Sequence, residues 1–281
     1  MGYTGKMNST QDTDSYPFTK MEGLGNDFIV MDDRVLRIDF SAGEVRRLCD
    51  RHFGIGADGL ILLRPATDLA ADFSWGFYNA DGSVAEMCGN GIRCIGAYLS
   101  ERGLIEADQD RLAIQTGAGV VSIRLLRDSA GRFQAAKVAM GQAVVVSESL
   151  SIAETEFFCV SMGNPHVVTF VADTENAPVT TLGPLVEVDA AFPDKTNVEF
   201  AAVQDRSTLR LRVWERGVGE TLACGTGACA AAVAACLKGL CDAELTVILP
   251  GGALQIEVDP ATLQVIMTGP ARTVFEGTIC L

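Results

Sequence analysis

The sequence contains no long apolar run. The longest uninterrupted one extends from Ala228 to Leu237 and is followed by Lys238, whereas a membrane-spanning helix needs about 18 or more apolar residues. Residues 1–15 are polar, and they have neither the apolar core of a secretory signal nor the arginines of a transit peptide. We therefore expect a soluble, cytoplasmic protein with no membrane partner, preceded by a disordered extension over residues 1–15.

Positive charge is also scarce. Lys and Arg together number 22 against 36 for Asp and Glu, which gives a net charge of −14. A field of this sign repels the phosphate backbone, so we expect no nucleic-acid partner. The chain has 281 residues, of which 48% are hydrophobic, enough for a globular core. That length predicts about one or two domains.

Signals for a bound nucleotide are weak. The sequence has no phosphate-binding loop of the Gly-x4-Gly-Lys-Ser/Thr type. Gly54 to Gly59 matches the dinucleotide glycine pattern, but a predicted helix precedes it and the apolar run Leu60 to Leu63 follows it. That order is the reverse of the strand-then-helix context that the pattern requires.

The nine cysteines do not suggest a metal site or a disulfide framework. Their number is odd and no secretion signal precedes them, which favours a reducing compartment. Cys224, Cys229, Cys236 and Cys241 are 5, 7 and 5 residues apart, wider than the spacing of paired zinc ligands. None of the five lysines lies in a motif where it would form a Schiff base with pyridoxal phosphate. We expect no metal and no cofactor.

Short strands dominate the predicted secondary structure. Leu209, Leu211 and Val213 alternate with two arginines, as in a half-exposed strand. The other predicted strands are 28–31, 60–63, 73–78, 120–126, 167–171, 245–249 and 254–258. Ser41 and Glu44 form a capping box that predicts a short helix. Two further predicted helices, from Gly89 to Gly103 and from Gly225 to Gly239, are so apolar that strands should surround each of them.

An internal repeat relates the two predicted buried helices. Cys-Gly-Asn-Gly at 88–91 returns as Cys-Gly-Thr-Gly at 224–227, an offset of 136 residues, and Gly25-Asn26 returns as Gly163-Asn164 at the similar offset of 138. We therefore predict an α/β (α+β) fold of two pseudo-symmetric halves, residues 16–146 and 147–281. Each half should be a mixed β-sheet wrapped around a central helix, with the active site in the cleft between them.

The cysteine that precedes each glycine-led helix has a chemical consequence. Unpaired N–H groups and the helix dipole favour thiolate there, so we expect a thiol pKa below about 8.5 for Cys88 and Cys224. The same N–H groups bind carboxylate. Two such helix starts facing one ligand could remove a proton from one side of the carbon next to a carboxylate and return a proton on the other side. This arrangement predicts a racemase or an epimerase.

Several motifs in order resemble diaminopimelate epimerase. The stretch from Met87 to Cys94 is similar to the first signature of that family. The other matching blocks are Gly25-Asn26-Asp27-Phe28, Tyr78-Asn79-Ala80-Asp81-Gly82, Gly163-Asn164-Pro165-His166, Asn197-Val198-Glu199-Phe200, Trp214-Glu215-Arg216-Gly217 and Ala223-Cys224-Gly225-Thr226-Gly227. Each block alone is a weak signal, but together they are specific and extend along nearly the whole chain.

The resemblance implies a homodimeric, cofactor-free isomerase that interconverts LL- and meso-2,6-diaminopimelate in lysine biosynthesis. Cys88 and Cys224 would be the catalytic bases, with Cys88 donating and Cys224 accepting the proton from LL to meso. His166 and Glu215 would adjust the thiol pKa values. The implied substrate-binding residues are Asn26, Asn79, Gly89, Asn90, Asn164, Asn197, Glu215, Arg216, Gly225 and Thr226.

The sequence departs from the family pattern at one position and leaves two rivals open. Gly59 stands where some members have a Gln that contacts substrate. Proline racemase and hydroxyproline epimerase share the two-cysteine design but have His where Asn90 stands. An amino-acid-binding module without catalytic activity is the other alternative. Labelling of the substrate α-carbon in heavy water distinguishes all three.

Overall fold

Seventeen strands and four helices make up the described residues, 15–281, of this computed structural model. The helices are α1 (Ala42–Cys49), α2 (Gly89–Glu101), α3 (Val179–Glu187) and α4 (Gly225–Leu237). The strands are β1 (Ser15–Gly23), β2 (Asn26–Asp32), β3 (Gly59–Pro65), β4 (Phe73–Asn79), β5 (Arg111–Thr116), β6 (Gly119–Arg127), β7 (Phe133–Gln142), β8 (Val144–Ile152), β9 (Thr155–Ser161), β10 (Pro165–Phe170), β11 (Asn197–Asp205), β12 (Thr208–Glu215), β13 (Gly219–Thr221), β14 (Glu244–Leu249), β15 (Gly252–Val258), β16 (Gln264–Gly269) and β17 (Arg272–Cys280). The mixed α+β class and the predominance of strands are confirmed.

The order of strand pairing repeats along the chain. Strands β1 to β7 form a series in which β2 with β3 and β4 with β5 are parallel and all the other neighbours are antiparallel. Strands β9 to β12 and β14 to β16 repeat that series, with β10 and β11 parallel and β12 and β14 parallel. Each predicted half therefore has the same mixed topology.

The two series exchange a strand. β17, at the end of the chain, pairs with β1, and β8 pairs with β9, each antiparallel. β7 also pairs with β16, so that all strands belong to one continuous sheet. The boundary predicted at residues 146 and 147 falls within β8, and strand pairing crosses between the halves at three places.

The sheet curves around two apolar helices. α2 packs against β1, β2, β6, β7 and β17, whereas α4 packs against β9, β10, β11, β12, β14, β15 and β16. From Gly89 to Leu99 every residue of α2 is buried, and so is nearly all of α4. Since a helix with no polar face must be enclosed, these burial patterns follow directly from composition. The prediction that strands surround each of these two helices is confirmed.

Local sequence signals predict helix α1 but not helix α3. The predicted capping box is present at α1, where the Ser41 side chain accepts from the Glu44 N–H and the Glu44 carboxylate accepts from the Ser41 N–H. Helix α3 was not predicted from the sequence. It contains Pro184, it has no side-chain N-cap, and Gly183 lies against Trp214. Packing on β11, β12 and β13 therefore stabilises a segment with poor helix propensity.

The N-terminal prediction falls mostly outside the structure. Residues 1–14 of the predicted extension are not among the described residues, and Ser15 already begins β1. None of the four helices in residues 15–281 has the length and apolarity needed to cross a membrane.

Candidate active site

Cys88 is the N-cap of α2. Its backbone is extended, with φ −145° and ψ 118°, and its sulfur accepts the N–H of Gly91 at 3.5 Å. A sulfur in the place of the usual capping oxygen therefore meets the unpaired N–H groups of the first helical turn. Gly89 and Asn90 follow it, both buried.

Cys224 has the same position at α4. Its φ and ψ are −117° and 110°, and its sulfur accepts the N–H of Gly227 at 3.4 Å. The hydroxyl of Thr226 lies 3.6 Å from the same sulfur. The repeated Cys-Gly-x-Gly motif thus forms the same cap twice, as the repeat predicts.

The two helix starts lie next to each other. The Asn90 side chain at the start of α2 donates to the carbonyl of Ala223, the residue before Cys224, at 3.3 Å. A Cβ added to Gly89 would lie 2.7 Å from Cε of Met267, and one added to Gly225 would lie 3.2 Å from the sulfur of the same methionine. One side chain therefore separates the two glycines, and the two helix starts that carry the cysteines are adjacent.

At both thiols, burial and the helix dipole shift the pKa in opposite directions. It raises the pKa of the Cys88 thiol above its ordinary value, and the N–H groups of Gly91 and Asn90 offset only part of this effect. The pKa of Cys224 is raised further, by burial first and then by the carboxylates of Glu215 and Glu199. The prediction of lowered thiol pKa values is therefore wrong, because the desolvation of a buried thiolate exceeds the stabilisation by the helix N-terminus.

Two asparagines from equivalent loops approach the two caps. The Oδ1 atom of Asn26 accepts from the Asn90 side chain at 2.9 Å and from the Cys88 thiol at 3.7 Å. In the other half, Nδ2 of Asn164 donates to the hydroxyl of Thr226 at 3.3 Å. The structure thus brings Asn26, Asn164 and both cysteine caps together.

Behind Asn164 lies a buried pair of His166 and Glu199. Nε2 of His166 is 3.0 Å from Oδ1 of Asn164, and Nδ1 is 2.7 Å from Oε1 of Glu199. Burial raises the pKa of Glu199, and the interaction with His166 offsets part of this effect. Both imidazole nitrogens face oxygen atoms, so the ring is held between Asn164 and Glu199.

Glu215 influences both thiols. It accepts a hydrogen bond from the hydroxyl of Thr221, and burial raises its pKa. The Glu215 charge also acts on Cys88 and raises the pKa of that thiol. One carboxylate is therefore close enough to both cysteines to influence the protonation of each.

Two residues predicted for the far end of the ligand lie at strand ends: Asn197 begins β11, and Arg216 follows the end of β12. The Asn197 side chain donates to the carbonyl of Pro165 at 2.8 Å and accepts from the backbone N–H of Arg216 at 2.9 Å. Arg216 is exposed, and its guanidinium donates to the carbonyl of Asp194 at 3.1 Å. Asn197 thus fixes the backbone from which the guanidinium projects.

Asn79 and Gly59 lie side by side at the ends of β4 and β3. Asn79 is exposed and donates to the Ser83 hydroxyl at 3.0 Å, rather than to either cysteine cap. A Cβ added to Gly59 would lie 2.7 Å from the carbonyl oxygen of Tyr78 and 3.0 Å from the Phe77 ring. A glutamine could not enter there without a shift of the backbone.

Three residues near the site were not predicted from the sequence: Glu199, Asp58 and Arg93. Glu199 has a sequence signal, since it is a charged residue inside the apolar strand β11. Arg93 is fully buried beside the first helical turn and donates to the carbonyl of Gly89 at 3.2 Å. Asp58 accepts from the Asn26 side chain at 2.8 Å.

Glu215→Gln should lower the pKa of Cys224. A nearby carboxylate favours the neutral thiol, so its removal favours thiolate at lower pH. The rate of Cys224 alkylation by iodoacetamide, followed by peptide mass spectrometry, should therefore reach its midpoint at a lower pH. Glu220→Gln is the matched control, because that carboxylate is paired with Arg212 on the same hairpin. An unchanged or raised midpoint in Glu215→Gln would contradict the assignment.

Metal ligands do not converge in the described part of the chain. Between residues 15 and 281, no group of three His, Cys, Asp or Glu side chains is placed to hold a metal ion. Cys229 is enclosed in α4, and Cys236 and Cys241 follow it around and beyond the helix end.

Comparisons with known proteins agree with the architecture. The solved structure of a hydroxyproline epimerase from Agrobacterium vitis matches with a TM-score of 0.77 at 17% identity, covering 96% of this chain and 94% of that one. A probable proline racemase from Agrobacterium radiobacter gives 0.73 at 16% identity over 95% and 93% of the two chains. The chain therefore belongs to the fold class that these two solved structures share.

The sequence comparisons identify the family within that class. The family model described as diaminopimelate epimerase matches residues 18–146 and 158–274. A diaminopimelate epimerase of Moorella thermoacetica is 47% identical over 92% of this chain and 98% of its own length. One of Methanococcus maripaludis is 44% identical over 93% and 99%. The chain belongs to the diaminopimelate epimerase family and is an isomerase of the amino-acid epimerase type.

Proposed function

We propose that this protein interconverts LL- and meso-2,6-diaminopimelate without a cofactor, and that Cys88 and Cys224 act as its two bases. The observation that carries this proposal is the meeting of two cysteine-capped helix starts, joined by the hydrogen bond from Asn90 to Ala223 and by the shared contact with Met267. Family membership supplies the substrate.

The proton balance of the reaction requires two thiols in opposite states. One cysteine, as thiolate, removes the α-proton and becomes a thiol, while the other donates its proton to the opposite face and becomes a thiolate. No net proton is gained or lost, and the reverse reaction exchanges the roles. From LL to meso we assign Cys224 as acceptor and Cys88 as donor, which the S–H donation from Cys88 to Asn26 supports.

The substrate carboxylate next to the reacting carbon would bind between the helix starts. The N–H groups of Gly89, Asn90, Gly225 and Thr226 belong to the first turns of α2 and α4. Such groups carry partial positive charge and stabilise the charge that develops as the α-proton leaves. The carboxylate thus serves both for binding and for activation of the carbon.

The far end of the substrate carries a second carboxylate and a second ammonium group. We assign the carboxylate to the guanidinium of Arg216, which can bind it through two parallel hydrogen bonds. Amides can donate to a carboxylate and accept from an ammonium, so we assign these contacts to Asn26, Asn79, Asn164 and Asn197. The position of Asn79 at the exposed end of β4 supports a role at the rim rather than at the thiols.

Glu215 and His166 would adjust the protonation of the thiols. The Glu215 charge acts on both Cys224 and Cys88 and favours the thiol form of each. His166 reaches Cys224 indirectly, through Asn164 and Thr226. These contacts support different protonation equilibria for the thiols of Cys88 and Cys224.

We further propose two structural halves, residues 16–146 and 147–281, with the substrate in the cleft between them, in a cytoplasmic homodimer. The repeated strand pairing supports the halves. The nine cysteines are all free, which supports a reducing compartment. Exposed apolar side chains on the outer strands β8 and β17, including Val146 and Phe275, support a second copy as partner.

Incubation of the enzyme with LL-diaminopimelate in heavy water tests the function. We expect one deuterium at the inverted α-carbon and formation of the meso isomer, detected by mass spectrometry and chiral chromatography. L-proline and 4-hydroxyproline serve as controls and should remain unlabelled. Labelling of proline instead would favour the racemase alternative. Binding of diaminopimelate without any label would indicate a module that binds but does not catalyse.

A further inference from the structure

The amide of Asn26 lies between a carboxylate and a thiol. Its Nδ2 atom donates to Oδ2 of Asp58 at 2.8 Å. On its other side, Oδ1 accepts from Nδ2 of Asn90 at 2.9 Å and from the Cys88 thiol at 3.7 Å. A carboxylate can only accept hydrogen bonds. The amide nitrogen must therefore face Asp58, and the carbonyl oxygen must face Cys88.

Asp58 is itself held in place from several directions. Its Oδ1 accepts from Arg51 at 2.7 Å, and its Oδ2 accepts from the N–H of Asp27 at 3.1 Å. The Asp58 N–H donates to the carbonyl of Asp27 at 2.9 Å. Although burial alone would raise the pKa of Asp27, hydrogen bonds from Arg51 and Lys20 hold that pKa well below its usual range. This network of charges fixes the Asp58 carboxylate relative to Asn26.

The equivalent asparagine in the other half is oriented in the opposite way. Oδ1 of Asn164 faces Nε2 of His166 at 3.0 Å, so Nδ2 points toward Thr226 and the cap of Cys224. One half thus presents a carbonyl oxygen to its cysteine cap, and the other half presents an amide donor. The Asp58 carboxylate orients Asn26, and the His166 imidazole orients Asn164, which explains this difference.

We infer that Asp58 is a positioning residue for the donor side of the site, a role that rests on the proposed function of Cys88. By fixing the Asn26 amide, Asp58 keeps an acceptor directed at the Cys88 S–H. An acceptor favours the thiol over the thiolate, as a proton donor requires. The other charged groups that act on Cys88 are Glu215, which favours thiol, and Arg93, which favours thiolate.

The test compares Asp58→Ala with Asp58→Asn. In Asp58→Ala the amide of Asn26 is free to turn, so the midpoint of Cys88 alkylation by iodoacetamide should move to lower pH. We expect kcat to fall by about 10-fold, with a smaller change in KM, because misplacement of a proton-transfer group costs rate. Asp58→Asn keeps an acceptor oxygen for Asn26 without the charge, and it should restore most of kcat.

The control is Asp32→Ala, which removes a carboxylate paired with Arg34 at the other end of β2. It should change neither the alkylation profile nor kcat. If Asp58→Ala fails to fold, Asp58→Ser gives the same comparison, because its oxygen stands closer to the backbone than the carboxylate oxygens. An alkylation profile like that of Asp32→Ala would overturn the proposal, as would equal kcat losses in the Asn and Ala variants. Full turnover in Cys88→Ala would refute the proposed function instead.

Discussion

Cys88→Ala and Cys224→Ala should each lower kcat/KM for diaminopimelate by about 10³-fold or more, within the range that a positioned acid or base contributes. Each cysteine is the only thiol at its own helix start, so neither can replace the other on the opposite face. Any α-deuterium that a single variant still incorporates should appear without inversion, because one remaining base exchanges protons on one face only. Coupled measurement of label and stereochemistry detects this.

Serine variants separate the chemistry from the structure. The sulfur of each cysteine caps its helix by accepting an N–H, and serine is among the preferred N-cap residues. Cys88→Ser and Cys224→Ser should therefore unfold at temperatures close to that of the unmodified protein, whereas alanine removes the cap at a cost of about 1 kcal/mol. Activity should nevertheless be lost in both, because a hydroxyl is a much weaker acid than a thiol.

Cys229→Ala is the matched control for these variants. Cys229 lies in α4 one turn beyond Cys224, is fully buried and belongs to the apolar core. Its removal should cost packing free energy but leave kcat/KM within a few-fold. Two-base catalysis would be refuted by rapid inversion in either Cys88→Ala or Cys224→Ala. A large activity loss in the folded Cys229→Ala protein would show that disturbance of α4, rather than loss of a base, explains the Cys224 result.

The local parts of the fold could be predicted from the sequence. A run of Ala, Cys and Val between Gly225 and Lys238 predicts a buried helix, and alternation at 209–213 predicts a half-exposed strand. The repeated Cys-Gly-x-Gly motif placed two thiols at equivalent helix starts. Composition and spacing within about 15 residues were sufficient for each of these predictions.

The non-local parts could not be predicted in this way. The pairing of β17 with β1 places the last strand of the chain beside the first strand, and no local pattern indicates a contact over that separation. Helix α3 forms against Trp214 despite Pro184, so tertiary packing overrides propensity.

The carboxylates that surround Cys224 could not be predicted from the sequence either. Motif spacing indicates that Cys224 begins a helix, but not that Glu199 and Glu215 lie behind it, separated from it by 25 and 9 residues in sequence. The expectation of an acidic thiol failed for this reason. A helix N-terminus supplies a short-range stabilisation, whereas desolvation and neighbouring carboxylates depend on the whole fold.

Gly227→Ala should be far more harmful to activity than Gly91→Ala, although the two glycines occupy equivalent positions three residues after the two cysteines. A Cβ at Gly227 would lie 2.8 Å from Oε1 of Glu199 and 3.2 Å from the sulfur of Cys224. Both neighbours are buried, and the Glu199 carboxylate is tied to His166 at 2.7 Å. The added methyl must therefore displace the sulfur or break the buried pair.

At Gly91 the neighbours can yield. A Cβ there would lie 3.1 Å from Cδ1 of Ile61, the end of a flexible side chain, 3.3 Å from the edge of the Trp75 ring and 3.6 Å from Cβ of Cys88, and none of these atoms is closer than 3.0 Å. Because a displacement of about 1 Å at a reacting group can cost 10²-fold in rate, we expect about that loss in kcat for Gly227→Ala and less than about 10-fold for Gly91→Ala. Thermal unfolding of both proteins separates misfolding from misplacement. Equal kcat losses in two folded variants would mean that Glu199 and His166 do not restrict the position of Cys224, and the asymmetry between the two cysteines would need another cause.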